Sequence, residues 1–412
     1  MSELRPPGRP RSPVPASPGS DGSAGRADWL VFAEDWGAHA STTQHLVAHL
    51  PQGDRVLWID SLGMRAPRFE RADLARVFGR LKRVVQGRAP SAIGDRPAPR
   101  SGRVPNRVLH PLVLPWHLDA ACVALNRRLL ATQVGRAARA TGLVRPVLVT
   151  ANPVLVRYLD GLAASAVVYL RLDDFASLPG VDPGLVQATE PELLARADLV
   201  VAPSARLVPS SVPSGRVRIL PQGVDIATFA AVPIAPPSGP LVLGYWGALG
   251  EWLDYPLITD VARALPELTL ELRGSARPEA GVHAALARLR ALPNVRVLPA
   301  VAHHELAAAA AHWSAAWAPF SRGMHLEHAS PLKLREYLAA GFPSAATPIP
   351  EANEITGIAP ITDLASVLAW LAHEVREDSV AARSARRARM ANESWASRAR
   401  DLRAWVVGAT ST

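Results

Sequence analysis

Short apolar runs alternate along the chain with longer stretches in which apolar residues recur every three or four positions. The first run, Trp29–Glu34, is followed by a helical stretch, Thr42–Leu50, and by a second run, Arg55–Asp60. Alternation of this kind predicts strands joined by crossover helices, and therefore parallel sheets. It occurs on both sides of residues 233–240, where four prolines interrupt it. The pattern predicts an α/β chain of two Rossmann-like, doubly wound parallel-sheet domains that face a cleft.

Length and local composition divide the chain further. At 412 residues it exceeds the size of one ordinary core, so two domains are expected. Residues 1–27, rich in proline and arginine, are expected to be a disordered tail. We expect a first domain over 28–232, a linker over 233–240 and a second domain over 241–395. The remaining residues, 396–412, are expected to be helical.

The composition restricts where the protein works. Its one cysteine, Cys122, excludes an intramolecular disulfide and is typical of a reducing cytoplasm. No apolar run approaches the ~18–20 residues that a membrane-spanning helix needs, and the N-terminus lacks the apolar core of a signal peptide. The protein is therefore expected to be cytoplasmic, either soluble or peripheral on the inner face of the plasma membrane.

Positive charge is concentrated in one segment. Residues 61–107 hold twelve basic and three acidic side chains, an excess equal to the +9 of the whole chain. Such a segment could bind an anionic membrane, nucleic acid or an acidic polymer, or could be a solvated surface. No nucleic-acid motif or interleaved aromatic residues accompany it, so a membrane ranks above nucleic acid, which is not an expected partner. A helical stretch over 68–86 suits a membrane surface or packing on a sheet.

The most informative stretch is a predicted helix in the last third of the chain. Ser330 suits the N-cap, Pro331 the first helical position and Gly341 a left-handed C-cap. A helix start beside Lys333, one of only two lysines in the chain, suits a phosphate. Glu336, one turn later, suits a vicinal diol, and a sugar nucleotide carries diphosphate and ribose in that order. A surface ion pair between these two side chains explains the same residues.

Three other predicted strand ends carry candidate chemistry. One strand runs into Gly247, and another ends at Arg273 and Gly274. Glycines let backbone N–H groups approach phosphate oxygens, although tight turns also need them. A third strand, 167–172, ends at Asp173, whose carboxylate could take a proton from an acceptor hydroxyl, steady a cationic sugar or cap the following loop.

The run Pro331–Pro343, with Lys333, Glu336 and Gly341 in place, resembles the donor-site helix of retaining-type GT-B glycosyltransferases. The closest likeness is to the group that includes the teichuronic acid biosynthesis enzymes. A second run, Pro221–Asp225, resembles the P-N-G-V-D turn that ends the N-terminal domain of many such enzymes, and its glycine is expected to permit a positive φ. The resemblance implies sugar transfer from a nucleotide-diphosphate sugar, with Lys333 on the diphosphate and Glu336 on the ribose.

The resemblance also implies further donor-binding residues. Of the family's two glutamates, spaced E-x7-E, the second matches Glu336, and His328 stands at the first position with Glu327 beside it. The usual arginine and lysine after the first strand of the second domain are absent. The expected donor-binding set therefore consists of Glu336, Lys333, Ser330, Arg322, Gly247, Arg273, Gly274, Glu327 and His328. No metal ion and no cofactor beyond the nucleotide-sugar co-substrate are expected.

For the first domain the resemblance implies an acceptor side and a catalytic pair. It places Trp36, Gly37 and His39 near the reacting sugar, although a loop histidine without a role is the alternative for His39. Relatives carry a Tyr-x-x-x-Asp-Asp run like the one that contains Asp173, so Asp173 and His39 are candidates for proton transfer or sugar positioning. The helix over 396–412 is expected to pack back on the first domain.

The expected partners are a nucleotide-sugar donor, a glycan or lipid-linked acceptor and an anionic membrane surface that contacts residues 61–107. Two other hypotheses stay open. A sugar-nucleotide epimerase of the same fold would need no acceptor. A catalytically inactive GT-B-like scaffold is favoured by the incomplete glutamate pair and by the missing arginine and lysine.

Overall fold

The computed structural model describes residues 25–38, 41–64, 102–178, 180–321, 326 and 330–410. Within these ranges the chain forms two sheets, of seven and six strands, and the paired strands of both sheets are parallel. Helices connect the strands, so the predicted fold class is confirmed. Residues 1–24 of the proposed tail and most of the basic segment, with its helical stretch 68–86, lie outside the described residues.

The first sheet has the strand order β3-β2-β1-β4-β5-β6-β7. Its strands are β1 (Asp28–Phe32), β2 (Arg55–Ile59), β3 (Arg107–Leu109), β4 (Val147–Thr150), β5 (Ala166–Leu170), β6 (Leu199–Ala202) and β7 (Val217–Ile219). The central strands are almost wholly buried, as expected where helices cover both faces of a parallel sheet. Asp28 and Arg55 are register partners on β1 and β2, and their side chains form an ion pair of 3.0 Å.

The helices that accompany this sheet are α1 (Thr42–Ala48), α2 (Ala120–Thr141) and α3 (Pro183–Arg196), with α4 (Ile226–Ala230) following the last strand. Short polar side chains start the first two: Ser41 accepts the amide N–H of Gln44, and Asp119 accepts that of Cys122. These caps satisfy amide groups that a helix start otherwise leaves without a partner.

The second sheet has the order β10-β9-β8-β11-β12-β13. Its strands are β8 (Val242–Trp246), β9 (Thr269–Arg273), β10 (Val295–Leu298), β11 (Ala315–Ala318), β12 (Ser344–Ala346) and β13 (Ile358–Pro360). The remaining helices are α5 (Tyr255–Ala264), α6 (Ala280–Arg290), α7 (Leu306–Ala309), α8 (Leu332–Ala340), α9 (Pro350–Glu354), α10 (Leu364–Trp370), α11 (Val380–Met390) and α12 (Trp395–Thr410). Each sheet has its own hydrophobic core.

The last helix, α12, lies against the first sheet and not the second. Its apolar residues belong to the first core: Trp395, Ala399, Leu402 and Val406. Arg403 on the same helix forms a bidentate ion pair with the buried Asp54, in which its Nε and Nη2 donate to the two carboxylate oxygens at 2.8 and 3.0 Å. Burial alone would raise the pKa of Asp54, but the hydrogen bonds from Arg403, Ala27 and Trp29 outweigh it and lower that pKa.

Each sheet with its helices is called a lobe below, the first lobe containing β1–β7 and the second β8–β13. The chain passes from one lobe to the other twice, and these two segments contact each other. The Val224 N–H donates to the Glu393 carbonyl at 2.9 Å, and the Trp395 N–H donates to the Val224 carbonyl at 3.3 Å. Gly223 does not have the positive φ expected of it. It is glycine because of close approach: a Cβ at this position would lie 2.6 Å from the Trp395 ring.

Gly244, in the middle of β8, has no room for a side chain. A Cβ there would lie 2.0 Å from the buried Trp313 ring. We expect Gly244→Ala to lower the free energy of unfolding by about 3 kcal/mol, because packed rings cannot give way at low cost. Gly281→Ala is the control: nothing lies within 4 Å of its Cβ position, and alanine is favoured in a helix. Urea unfolding midpoints should fall only for Gly244→Ala, and equal midpoints would contradict this packing.

Candidate functional site

Helix α8 begins one residue later than the sequence predicts. Pro331, with extended backbone at φ −72° and ψ 112°, stands at the cap position, so the expected N-cap role of Ser330 is wrong. Ser330 lies one residue too early to cap the helix, and its buried Oγ has no partner among the described residues. Among the described residues no side chain caps the helix start, so its first amide groups can donate to an anion. The helix ends, as predicted, at Gly341 with φ +88°.

Lys333 lies at this helix start, half-buried beside the loop after β8. A Cβ on Gly247 would lie 2.8 Å from its Cε and 3.3 Å from its Nζ. The ammonium group also lies over two rings, 5.2 Å from the centroid of Tyr245 and 5.4 Å from that of Phe320. No carboxylate lies within ion-pairing distance of it in the described part of the chain.

Two of the predicted glycines meet beside this lysine. Gly247 has φ +132°, a conformation that favours glycine, and its N–H donates to the Arg273 carbonyl at 3.0 Å. A Cβ on Gly274 would lie 1.8 Å from the Gly247 carbonyl oxygen, so glycine is required there. The loops after β8 and β9 are thus in backbone contact at the carboxyl end of the sheet. Gly247, Gly274 and Lys333 come together as a group.

Arg273 is placed differently, although it ends the same strand. Its guanidinium donates to Glu271 at 3.0 Å and is mostly buried. Glu271 also accepts the Trp313 indole N–H at 3.1 Å and contacts His312 at 2.9 Å. The guanidinium of Arg273 is therefore paired with a buried carboxylate, and this weakens the expectation that Arg273 neutralises a phosphate.

Glu336 is buried, with a partner on each carboxylate oxygen. Its Oε2 accepts the Trp246 indole N–H at 2.9 Å, and its Oε1 lies 2.8 Å from His303 Nε2. Burial alone would raise the pKa of Glu336, but these two hydrogen bonds and the positive charges of His303 and Lys333 outweigh it and lower that pKa. The carboxylate is therefore ionised.

Two histidines that the sequence did not single out complete this cluster. His303 follows β10 in the second lobe, and His45 lies on α1 of the first lobe, with ring centroids 6.0 Å apart. His45 stacks on Trp395 at 4.6 Å. Burial, with help from His303, lowers the pKa of His45 to about 4. Burial acts to lower the pKa of His303 too, but the hydrogen bond and charge of Glu336 outweigh it and raise that pKa.

The predicted residues of the first lobe lie at the carboxyl ends of its strands. The Trp36 N–H donates to Asp60 at 3.0 Å, and its ring meets Trp58 edge-on at 4.8 Å. Gly37, at φ +81°, donates its N–H to the Gln44 side chain at 3.1 Å. Asp173 follows β5, half-buried, and accepts the Asp174 N–H at 2.8 Å, a contact of the loop-capping kind. His39, Arg322, Glu327 and His328 lie outside the described residues.

The chain is similar to known proteins in structure but not measurably in sequence. No protein-family model matches the sequence, and no curated protein is significantly similar to it. Among solved structures, HepE from Anabaena in complex with UDP is 15% identical, with a TM-score of 0.60 over 92% of this chain and 98% of HepE. The lipopolysaccharide outer core galactosyltransferase WaaB is 10% identical, with a TM-score of 0.55 over 92% and 99%. The trehalose 6-phosphate synthase from Burkholderia multivorans is 13% identical, with a TM-score of 0.55 over 92% and 98%.

The chain has the GT-B fold. The predicted fold is thus confirmed at the level of architecture, and the group of teichuronic acid enzymes stays a resemblance. In this GT-B protein Glu336, of the second lobe, lies close to His45 of the first, because His303 contacts the carboxylate and lies 6.0 Å from the His45 ring. The carboxylate therefore stands at the inner boundary of the two lobes.

The depressed pKa of His45 makes stability depend on pH. The unfolded chain takes up this proton near pH 6.5 and the folded protein only near pH 4, so stability falls as pH falls between these values. His45→Phe keeps the ring on Trp395 and cannot take a proton. We expect wild type to lose about 3 kcal/mol relative to this variant between pH 6.5 and pH 4. The measurement is urea unfolding across this range, with the exposed His373→Phe as control, and parallel curves for wild type and His45→Phe would contradict the burial argument.

Proposed function

We propose that the protein is a glycosyltransferase that moves a sugar from a nucleotide-diphosphate sugar to a hydroxyl acceptor, in polysaccharide or glycolipid biosynthesis. One observation carries the proposal: Lys333 and the ionised Glu336 stand one turn apart at an uncapped helix start, at the inner boundary of a GT-B fold. The HepE structures, which contain UDP or UDP-glucose in the same fold, support the same substrate class.

The donor diphosphate is assigned to the surface formed by Lys333, the start of α8, Gly247 and Gly274. A phosphate there gains the ammonium charge and backbone N–H groups together, and the glycines leave room for its oxygens. The diol of the ribose is assigned to Glu336, one turn further along the helix. Ser330, whose buried Oγ has no partner among the described residues, is available to the donor.

The transfer breaks the bond between the anomeric carbon and the diphosphate oxygen and forms one to the acceptor oxygen. Negative charge develops on the leaving diphosphate, where Lys333 and the helix amides stabilise it, and preorganised charge of this kind supplies much of the catalysis in polar sites. The acceptor proton goes to Asp173 or His39 or to the departing phosphate. Because the lysine and amides provide the positive charge, we propose that no metal ion is required.

The remaining predicted residues are assigned by the resemblance. Trp36 and Gly37 are assigned to the acceptor side. Arg322, Glu327 and His328, which lie outside the described residues, are assigned to donor binding. Arg273 is assigned a supporting role, because Glu271 holds its guanidinium. Two experiments separate the alternatives: formation of an isomer without acceptor would indicate an epimerase, and absence of nucleotide binding in calorimetry would indicate a scaffold.

We further propose that the acceptor is lipid-linked and that α2 contacts an anionic membrane. None of the described helices is long and apolar enough to cross a bilayer. However, Leu125 and Leu129 are 47% and 39% exposed and lie one turn apart on the same face of α2. Leu118, 55% exposed, precedes the N-cap residue Asp119. The helix carries four arginines and no acidic residue, so its charge complements anionic lipid. The membrane hypothesis for residues 61–107, most of which lie outside the described residues, is thereby extended to α2.

We expect Lys333→Ala and Glu336→Ala each to lower turnover by about 100-fold, because each removes a charged partner of the bound donor. The nucleotide is found first by thermal stabilisation with UDP-, GDP- and dTDP-sugars. Turnover is then measured as release of the nucleoside diphosphate, with unfolding midpoints recorded for each variant. The exposed Glu377→Ala is the control and should leave turnover unchanged. Turnover close to that of wild type in both variants would contradict the assignment of Lys333 and Glu336 to the donor.

We expect the double variant L125E/L129E to lose binding to vesicles of phosphatidylcholine and phosphatidylglycerol by at least about tenfold, since each leucine contributes apolar burial worth 1.5 kcal/mol or more. Cosedimentation measures the bound fraction, and vesicles of phosphatidylcholine alone should bind wild type weakly. Ile219→Glu is the control, an exposed apolar residue on β7 at the opposite edge of the sheet from β3. Equal loss in this control, or no binding by wild type, would contradict a membrane surface on α2.

A further inference from the structure

Arg335 lies on α8 between Lys333 and Glu336, and two carboxylates hold its guanidinium. Its side chain is only 7% exposed, and its Nε donates to Glu393 Oε2 at 2.8 Å. Its Nη1 pairs with Glu351 Oε1, whose side chain is also buried. Charges withdrawn from water in this way persist only when each has a partner. The proposed function gives this arginine no role, although it stands beside both residues assigned to the donor.

Glu393, the first partner of Arg335, lies where the chain crosses between the lobes. Its carbonyl oxygen accepts the Val224 N–H at 2.9 Å, and this hydrogen bond joins the two crossing segments. Its carboxylate also accepts a hydrogen bond from Arg398 at 3.3 Å. Arg398 belongs to α12, the helix that packs in the first core. Through Glu393, Arg335 is therefore connected to a helix of the second crossing that lies against the first lobe.

A second connection to the first lobe leads through α9. Glu351 and Glu354 lie three residues apart on this helix and therefore on the same side of it. Glu354 Oε1 pairs with Arg206 Nη1 at 2.7 Å, and Arg206 lies in the helical turn that follows β6 of the first sheet. Ion pairs thus connect Arg206 to α9, α9 to α8, and α8 to Glu393 and Arg398. This series begins and ends against the first lobe and passes through the donor helix.

We propose that Arg335 is a positioning residue that aligns the donor helix α8 with the first lobe. The proposal rests on the proposed function, since it takes Lys333 and Glu336 to hold the donor and the first lobe to hold the acceptor. Arg335 acts through the helix that carries these two residues and contacts neither substrate. The anomeric carbon and the acceptor oxygen react only at the right distance and angle, so the alignment of the lobes contributes to the rate.

Arginine suits this role because one planar guanidinium donates in fixed directions to carboxylates on different segments. The crossing segment and α9 are thereby tied to the same side chain. An apolar contact supports the same alignment: Leu332, at the first turn of α8, packs against the first core. The donor helix therefore touches the first lobe at its start and is tied to it through Arg335 one turn later.

The first experiment measures the alignment of the lobes and needs no substrate. One dye is attached to the native Cys122 on α2 of the first lobe. The other is attached to a cysteine introduced by Gly281→Cys on α6 of the second lobe, where nothing lies within 4 Å of the Cβ position. Single-molecule energy transfer then reports the spread of distances between the dyes. We expect Glu393→Ala, which leaves Arg335 paired with Glu351, to broaden this spread, and an unchanged spread would overturn the proposal.

Glu192→Ala is the matched control. Glu192 also bridges two arginines, Arg157 at 3.1 Å and Arg196 at 3.7 Å, but all three residues lie in the first lobe. This variant should leave both the distance spread and turnover unchanged. Equal broadening in Glu192→Ala would contradict the proposal, because loss of any bridging carboxylate would then have the same effect.

A graded variant tests the ion pair itself. Glu393→Gln keeps an acceptor oxygen for Arg335 but loses the negative charge, so its distance spread should lie between those of wild type and Glu393→Ala. Arg335→Ala would leave two carboxylates without their cation and is avoided for that reason. Unfolding midpoints, recorded for every variant, show that each is folded at the temperature of the measurement.

Binding and turnover are then measured separately in wild type and Glu393→Ala. The dissociation constant for UDP-glucose, from calorimetry, should stay within about twofold, because the donor residues of the second lobe are intact. Turnover, measured as release of the nucleoside diphosphate, should fall about tenfold, because the reacting atoms are less well aligned. Donor binding weakened as much as turnover would overturn the proposal, since Arg335 would then shape the donor site alone.

These measurements distinguish failure of the proposal from failure of the proposed function. If wild type binds neither UDP-glucose nor GDP-glucose and releases no nucleoside diphosphate, the proposed function fails, and with it any positioning role of Arg335 in the reaction. If wild type binds and turns over a donor but Glu393→Ala has the same turnover, the proposed function stands and the positioning role of Arg335 is overturned.

Discussion

A carboxylate withdrawn from water has to be paired, and the site follows from how Glu336 is paired. Its indole partner, Trp246, is fixed by the second core and by β8, so one oxygen is committed to structure. Its imidazole partner, His303, comes from the short helical turn His303–Glu305, and the ring packs edge-on against Phe229 at 5.4 Å. Burial makes an unpaired carboxylate costly, and the indole and the imidazole together offset that cost and keep Glu336 ionised. The same burial strengthens each hydrogen bond that a bound nucleotide would make.

The lobes are joined in a way that brings this carboxylate to their boundary. The chain leaves the first lobe through Gly223 and returns to it at Trp395, and the two passages are hydrogen-bonded to each other. Trp395 then supports two contacts at once, since its ring closes over Gly223 and stacks on His45. The ion pair between Arg403 and Asp54 holds α12 on the first sheet. These contacts bring the cluster of His45 and His303 to the place where the two lobes are joined.

The fold could be predicted from the sequence because parallel strands buried on both faces are continuous apolar runs. The predicted runs Trp29–Glu34 and Arg55–Asp60 correspond to β1 (Asp28–Phe32) and β2 (Arg55–Ile59) within two residues at each end. By contrast, β13 (Ile358–Pro360) is a three-residue edge strand that ends in proline and leaves almost no pattern. Lys333 and Glu336 could be found because they share one helix with a familiar run. His45 and His303 could not, because the two histidines are far apart in sequence, and only the packing of the lobes brings them together.

The fate of the arginines explains why a lysine stands at the helix start. Two arginines near the start of α8 are paired with carboxylates: Glu271 holds Arg273, while Glu351 and Glu393 hold Arg335. A planar guanidinium pairs with a carboxylate through two parallel hydrogen bonds, so an arginine at position 333 would have Glu336 as a ready partner one turn away. The compact ammonium of Lys333 lies instead against Gly247 and two aromatic rings. The cation and the carboxylate therefore stay separate, and each remains available to a different part of one ligand.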